Sequence, residues 1–470
     1  MSGLTEDERA ALARAAQVAI AYRDAVPEMP VPPVAALDDV VDRFRAPLAE
    51  AGQPADATIE RLIVDADGGI NQMASGNFYG YVLGGSHPAG VAADMLVSAW
   101  GQNVGSSRET PAMTGMERAV CDWVIDLLGL PAESGAGIVT GATVANTVGV
   151  MAGRHALLKR CNWDVEADGL FGAPEIPVLI GEDAHSAPFA ALRYAGFGAA
   201  RVTRVPTDSE GRIRPDAFAE ALEACTAPPL VILQAGQINT GGFDPFSELI
   251  PDVHAREGWV HIDGAFGLWV GAVPALRARQ AGVEAADSWA TDLHKWLNAP
   301  FDAGIVICRD REPLVASMSA RGAYLPDASG HWEPTDSTPE LSRRARGVPS
   351  YAILRHLGRA GVREMVARHC RLAERAAAAL SSEPGIEVLN EVHCNQVAVA
   401  IGGSDDDTHA VLEIVQKRGR VYPTHGEWRG RAIIRVSVIN YATQEPDIDL
   451  LTEEIIAAWR AVRAREKAAV

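Results

Sequence analysis

Seven short apolar runs constrain this chain more than any other feature: Gly137 to Thr140, Pro177 to Gly181, Ala200 to Val205, Leu230 to Gln234, Trp259 to Asp263, Ser288 to Thr291 and Gly304 to Cys308. Helical stretches separate most of them, and that alternation predicts an α/β fold built on a mostly parallel seven-stranded sheet with helices on both faces. Ligands of such sheets collect at the carboxyl ends of the strands, so residues that carry chemistry are sought there.

The flanks differ in character. Residues 5 to 25 and 36 to 52 have amphipathic helical period and are separated by the proline-rich PEMPVPPV, which reads as an arm laid on something else rather than as a core. Val348 to Arg359 and Arg363 to Ser381 are again helical in period. VAVAIGG and RAIIRVSVIN then flank one helix, and a last helix runs from Pro446 to about Lys467. The expected parts are an N-terminal helical arm (1–75), a large domain (76–345) and a small α+β C-terminal domain (346–470).

At 470 residues and 48% hydrophobic, the chain can bury a large core. Its 61 acidic against 42 basic residues give a net charge of −19, spread along the sequence, which argues against nucleic acid or an anionic membrane as a partner. Six widely spaced cysteines form no CxxC pair and have no histidine at ligand spacing, so neither a metal site nor a disulfide framework is expected. Without a leader-like start or a long apolar run, the expectation is a cytoplasmic protein.

Two residues at strand ends carry the strongest chemical signal. Asp263 closes WVHID, and Lys295 follows the next apolar run in TDLHKWLNAP. A lysine amine can form an imine with an aldehyde cofactor, and a carboxylate can keep a pyridine nitrogen protonated, so the pair suits pyridoxal 5'-phosphate. Each alone has an ordinary reading, Lys295 as an exposed strand-end lysine and Asp263 as a helix cap. Gly264 and Ala265 are small enough to lie beside a flat ring. In IVTGATVANTVGVMAGRHALL a strand, turn and helix put the amides near Ala142 and Thr143 at a helix start, where a phosphate fits, although an ordinary cap looks the same. His185 follows another strand, placed either to stack on the cofactor or to serve structure.

These strand-end signals, in this order, resemble the fold type I pyridoxal phosphate enzymes, and within them the group II amino acid decarboxylases, over roughly residues 70 to 465. The resemblance implies Lys295, Asp263 and His185 as catalytic residues, with Ala142, Thr143, His185, Asp263, Ala265, His294 and Lys295 holding the cofactor. FYGYVLGGSHPAGVAADML looks like the family's substrate-pocket segment and AGQINTGGFDP like one near the cofactor. A homodimer is implied, because sites in this fold lie between subunits.

The chain departs from the family in three places. Val144 stands where a glutamate is frequent, and Gln237 with Ile238 replaces a usual threonine pair. The stretch aligned with the mobile loop has Thr335, Asp336 and Ser337 near the place of the family's proton-donating tyrosine, leaving Tyr324 and His331 as the nearest donors. The reaction expected is α-decarboxylation of an L-amino acid. Decarboxylation-coupled transamination, aldehyde formation, lyase chemistry and a non-catalytic binding role stay open at this point. For the substrate pocket the candidates are Phe78, Tyr81, Asn103, Arg108 and Arg435, with Tyr79 and Gln102 beside them. Arg108 inclines the reading toward a polar or acidic substrate, against the alternative of surface ion pairing. Arg435, interrupting an apolar strand, suggests a carboxylate partner or an internal ion pair.

Overall fold

The structure is a computed structural model that describes residues 3–319 and 333–469; Tyr324 and His331 lie outside the described residues. The strands of the large sheet are β1 (Gly135–Val139), β2 (Val178–Gly181), β3 (Val202–Val205), β4 (Leu230–Gln234), β5 (Trp259–Asp263), β6 (Ser288–Asp292) and β7 (Gly304–Cys308). Their order across the sheet is β1-β7-β6-β5-β4-β2-β3. All neighbours are parallel except β7, which runs antiparallel to both β1 and β6. The reversed strand brings Gly304 opposite Val139, directly beneath the start of the helix Ala142–Arg160. A side chain on Gly304 would come within 2.6 Å of the Gly141 Cα, so only glycine admits this approach.

Alternate residues of each central strand feed two separate cores. In β4, Val231 and Leu233 join one cluster while Leu230 and Ile232 join the other. The same alternation holds for Ile305 and Ile307 against Val306 and Cys308 in β7. Both faces are therefore covered, which explains why these strands read as continuous apolar runs.

The small sheet has four strands, β8 (Ile386–Val388), β9 (Gln396–Ile401), β10 (Thr424–Trp428) and β11 (Arg431–Ser437), in the order β10-β11-β9-β8. Only β9 and β11 stand out in the sequence. The helix Gly347–Ser381 is continuous in hydrogen bonding but breaks direction at Gly358, whose φ of 62° is left-handed. That is where two helices are expected from the sequence. The arm is built from Glu6–Ala25, Leu37–Phe44 and Ala55–Ala66. The second helix is shorter than the expected 36 to 52, since it ends before Pro47, and the third is not anticipated. No helix among the described residues is long and apolar enough to cross a membrane.

Candidate active site

Carboxyl ends of neighbouring strands put the site together. Asp263 ends β5 and Asp292 ends β6, so their side chains emerge at the same edge of the sheet. The turn after β6 carries His294 and Lys295. A cavity of ≈ 330 Å³ is lined by Thr140, Gly141, Ala142, Thr143, Val144, His185, Ala187, Asp263, Ala265, Asp292, His294 and Lys295. It thus gathers every cofactor-site residue expected from the sequence.

The lysine turn is held from three sides. Asn298, in left-handed conformation at φ 58°, accepts the Gly85 amide at 2.7 Å and the Tyr441 amide at 3.0 Å through Oδ1. Its Nδ2 donates to the carbonyls of Trp296 at 2.8 Å and Ile439 at 3.0 Å. The Gly84 amide donates to the His294 carbonyl at 3.2 Å, and a Cβ at Gly84 would fall 2.3 Å from the Lys295 carbonyl oxygen. The family-like segment around Gly84 is therefore the strap that seats the lysine.

Electrostatics concentrate at Asp292, which the sequence reading did not single out. Its Oδ2 lies 3.1 Å from Lys295 Nζ, and its Oδ1 accepts the Ala142 amide at 2.6 Å. His294 Nε2 is 3.6 Å from the same Oδ1, and His294 Nδ1 accepts the Ala303 amide. Burial lowers the His294 pKa although Asp292 opposes it, so the ring is neutral with its proton on Nε2. Burial pushes the Asp263 carboxyl up, while His185, Lys295 and the Asn146 amide favour its ionised form. The Ala265 amide donates to Asp263 Oδ1 at 3.3 Å.

His185 lines the cavity and also caps a helix. Its Nδ1 accepts the Ala187 amide at 3.2 Å, capping the helix Ser186–Tyr194, and its own amide donates to Gln234 Oε1 at 3.2 Å. Desolvation lowers its pKa despite Asp263. A neutral ring whose Nδ1 is an acceptor carries its proton on Nε2.

The substrate candidates separate. Phe78 is fully buried and stacks on Tyr422 with ring centroids 5.5 Å apart. Burial raises the Tyr422 pKa, with the Tyr81 hydroxyl adding to it, and the Arg435 charge helps to lower the pKa of His185. Arg435 is largely enclosed, its Nε has no hydrogen-bond partner among the described residues, and burial lowers its pKa. Tyr79 is a correction: it lies wholly within the core of the small sheet, not on a pocket wall. None of the substrate candidates Phe78, Tyr81, Asn103, Arg108 and Arg435, nor Gln102, is among the residues that line this cavity. Arg108 is exposed, and Asn103 spends its side chain on the Gly105 amide and Glu109. Gln237 is likewise used within its own turn, accepting the amides of Asn239 and Thr240. In the aligned loop stretch, Thr335 and Ser337 are buried and Asp336 accepts the Ser319 hydroxyl at 2.8 Å.

The residues present fit pyridoxal phosphate. An amine, a buried carboxylate and an imidazole share one cavity with helix-start amides and a small residue, Ala265, beside the carboxylate. Fold and site together define a fold type I pyridoxal phosphate enzyme.

Residues 47–401 match the family model described as the pyridoxal-dependent decarboxylase conserved domain, and the chain belongs to that family. Tryptophan decarboxylase 1 of Oryza sativa subsp. japonica is 27% identical, covering 97% of this chain and 93% of that protein. The aromatic-L-amino-acid decarboxylase of Sus scrofa is 26% identical over 89% and 90% of the two chains. The crystal structure of Oryza sativa TDC with PLP and tryptamine superposes with a TM-score of 0.91 at 25% identity, covering 98% of this chain and 99% of that one. The protein is a pyridoxal phosphate-dependent carboxy-lyase that removes the α-carboxylate of an amino acid. Transamination, aldehyde formation and a purely binding role are not needed to account for it.

Proposed function

We propose that this enzyme decarboxylates an aromatic L-amino acid, with Lys295, Asp263 and His185 as its catalytic residues. The observation that carries the assignment of residues is the convergence of all three on one cavity. When bound, pyridoxal phosphate supplies the electron sink for the bond leaving the α-carbon. Lys295 would be the residue that holds the cofactor through its amine. Asp263, whose carboxyl burial pushes up while His185, Lys295 and Asn146 favour its charged form, would face the ring nitrogen and hold a proton there. His185 offers its Nε2–H beside the ring and orients the departing carboxylate. Ala142 and Thr143 supply helix-start donors to the phosphate, and His294 adds its Nε2–H. Ala265 leaves room for the ring.

The side chain of the substrate lies toward Tyr81, which is exposed, while the fully buried Phe78 supports this segment by stacking on Tyr422. Support comes from the stacked pair itself and from the names of the relatives, all of the first eight being tryptophan or aromatic-L-amino-acid decarboxylases. The polar reading rested on Gln102, Asn103 and Arg108, of which Gln102 and Asn103 spend their side chains on neighbours in their own loop and Arg108 is exposed. Arg435, whose Nε has no hydrogen-bond partner among the described residues, attracts the carboxylate of the incoming substrate.

A homodimer is proposed because the arm is exposed on apolar residues, including Leu12, Ile20, Leu37 and Phe44, and the helix Leu37–Phe44 buries none of its own. Asn103 and Arg108 would then reach a site only across that interface. The six cysteines are free, in keeping with a cytoplasmic location.

The test is product analysis with a panel of L-amino acids, paired with borohydride reduction and peptide mapping. Stoichiometric amine and carbon dioxide from tryptophan, tyrosine or phenylalanine, with the label on Lys295, is expected. Turnover confined to acidic amino acids would overturn the substrate assignment, and a label elsewhere would overturn the residue assignment.

A further inference from the structure

Behind Asp263, on the side away from the cavity, four buried polar groups form one oriented chain. Trp259 Nε1 lies 3.0 Å from Ser288 Oγ, Ser288 Oγ lies 2.8 Å from His261 Nδ1, and His261 Nε2 lies 2.8 Å from Asn146 Oδ1. Asn146, His261 and Ser288 are fully buried, and Trp259 nearly so. Asn146 Nδ2 is buried and has no hydrogen-bond partner among the described residues, and the acceptor it is free to serve is the Asp263 carboxyl, whose ionised form the Asn146 amide favours.

The proton positions follow by elimination. The Asn146 oxygen can only accept, so His261 Nε2 must donate to it. Burial holds His261 neutral, with its pKa pushed down to about 3, so Nδ1 is an acceptor and must receive the Ser288 hydroxyl proton. Trp259 can only donate, and it completes the Ser288 oxygen. Every dipole therefore points the same way, and the last N–H of the series faces the carboxylate. Turning the Asn146 amide over would set its oxygen against Asp263.

The helix above makes room for this arrangement at a cost to its own stability. Gly149 and Gly153, one turn apart, sit inside Ala142–Arg160, where glycine is a poorer helix former than alanine. A Cβ on Gly149 would fall 2.4 Å from His261 Cε1, and one on Gly153 would fall 2.7 Å from Trp259 Cδ1. Asn146, Gly149 and Gly153 share one helix face, so the two glycines open the space into which β5 raises the indole and the imidazole.

We infer that Asn146, aligned by His261, Ser288 and Trp259, is a positioning residue that keeps Asp263 ionised and aimed at the cofactor's ring nitrogen. This rests on the proposed role of Asp263. Its ring-side oxygen is more basic or less basic according to what the far side donates, and the chain supplies that donor from within a water-free interior.

The experiment compares affinities for pyridoxal phosphate and its 1-deaza analogue, which has carbon in place of the ring nitrogen. Equilibrium dialysis with the full-length apoprotein gives a ratio of the two dissociation constants that reports the nitrogen contact alone. Asn146→Leu is expected to reduce the preference for the natural cofactor about tenfold, the equivalent of ~1.4 kcal/mol. His261→Leu should do the same, and His261→Gln, which keeps a donor and an acceptor, should stay within about twofold of wild type. A general packing defect would weaken both ligands alike and leave the ratio unmoved, which overturns the inference. If neither leucine variant folds, Ser288→Ala must still lower the ratio at least about twofold, and an unchanged ratio there overturns it too. Asp263→Ala separates the two levels: if it leaves the ratio unchanged, the role of Asp263 itself is wrong. If it abolishes the preference while Asn146→Leu does not, only the positioning chain falls.

Discussion

Asp292 and Lys295 form an ion pair at 3.1 Å inside the cavity, and the other oxygen of Asp292 already occupies the Ala142 amide at the helix start. The carboxylate thus stands where an incoming phosphate would be received. Removing its charge while keeping an acceptor should ease entry of the anion. Asp292→Asn is expected to tighten pyridoxal phosphate binding about tenfold, since one like charge a few ångströms away costs on the order of 1–4 kcal/mol at intermediate dielectric. Fluorescence titration of the apoprotein measures it. Weaker binding in the variant would show that Asp292 serves the cofactor by holding Ala142 and Lys295 in place.

Tyr422 joins the small-sheet side to the proposed substrate segment, pairing its backbone with Asn77 and Tyr79 while its ring stacks on Phe78. Tyr422→Leu keeps bulk but removes the stacking face and the hydroxyl that meets Tyr81. For an aromatic substrate KM should rise about tenfold with a smaller change in kcat, the pattern of lost uniform binding. Steady-state kinetics with tryptophan and phenylalanine decide it. A fall in kcat at unchanged KM would place the ring at the chemistry instead of at the side chain.

Buried histidines set the acid limit of the fold. His261 and His369 are fully buried with pKa values pushed down to about 3, and burial with neighbouring charge takes His87 to about 4. Their unfolded value is near 6.5, so below that pH the unfolded chain binds more protons and stability falls as pH falls. Each fully buried ring contributes a loss of about 2 kcal/mol by pH 5. Asp244, raised by burial to about 7, acts in the opposite sense, and Asp263 joins it in direction. The expected result is a lower Tm at pH 5 than at pH 7. His369→Gln, which can still accept the Trp296 indole proton, should flatten the dependence by about one proton, ~1.4 kcal/mol per pH unit. Parallel profiles for variant and wild type would refute the assignment to His369.

Glu117 and Arg343 pair through two hydrogen bonds, Arg343 Nη1 to Glu117 Oε2 at 2.9 Å and Nη2 to Oε1, with both side chains essentially excluded from water. The pair pins the helix Pro111–Leu128 to the segment that precedes Gly347–Ser381. Glu117→Gln leaves a buried guanidinium short of its counter-charge and should cost about 3–5 kcal/mol. Glu117→Leu combined with Arg343→Met should recover most of that, because a packed apolar pair carries no desolvation penalty. Urea unfolding of the three proteins is the measurement, and a double variant no better than the single would contradict it.

The sequence made the large sheet legible because its strands are buried on both faces and read as uninterrupted Val, Ile and Leu runs. β8 and β10 escaped for the converse reason: IEV and THGEW are short, half exposed and lack a strong alternation. Lys295, Asp263 and His185 were readable since each terminates a strand or follows one, where position itself implies access. Asp292, Asn146 and Tyr422 were not, because their significance lies in partners far away along the chain. One local signal for Asn146 and His261 was present: two glycines at helical spacing in an apolar helix, and a histidine inside an apolar strand, each unfavourable unless it serves the other. The reversed direction of β7 left no mark in periodicity, which is the same for either orientation.

Asn298 gives the lysine turn contacts with residues 85 and 441 at once. During synthesis, then, the turn can emerge, and the sheet beneath it can form, long before the stretch around Ile439 and Tyr441 leaves the ribosome. The attachment point for the cofactor gains its last fixed contacts only once Tyr441 has emerged, so a chain that stopped before Ile439 would carry every chemical group of the pocket and still lack the brace that sets them in place.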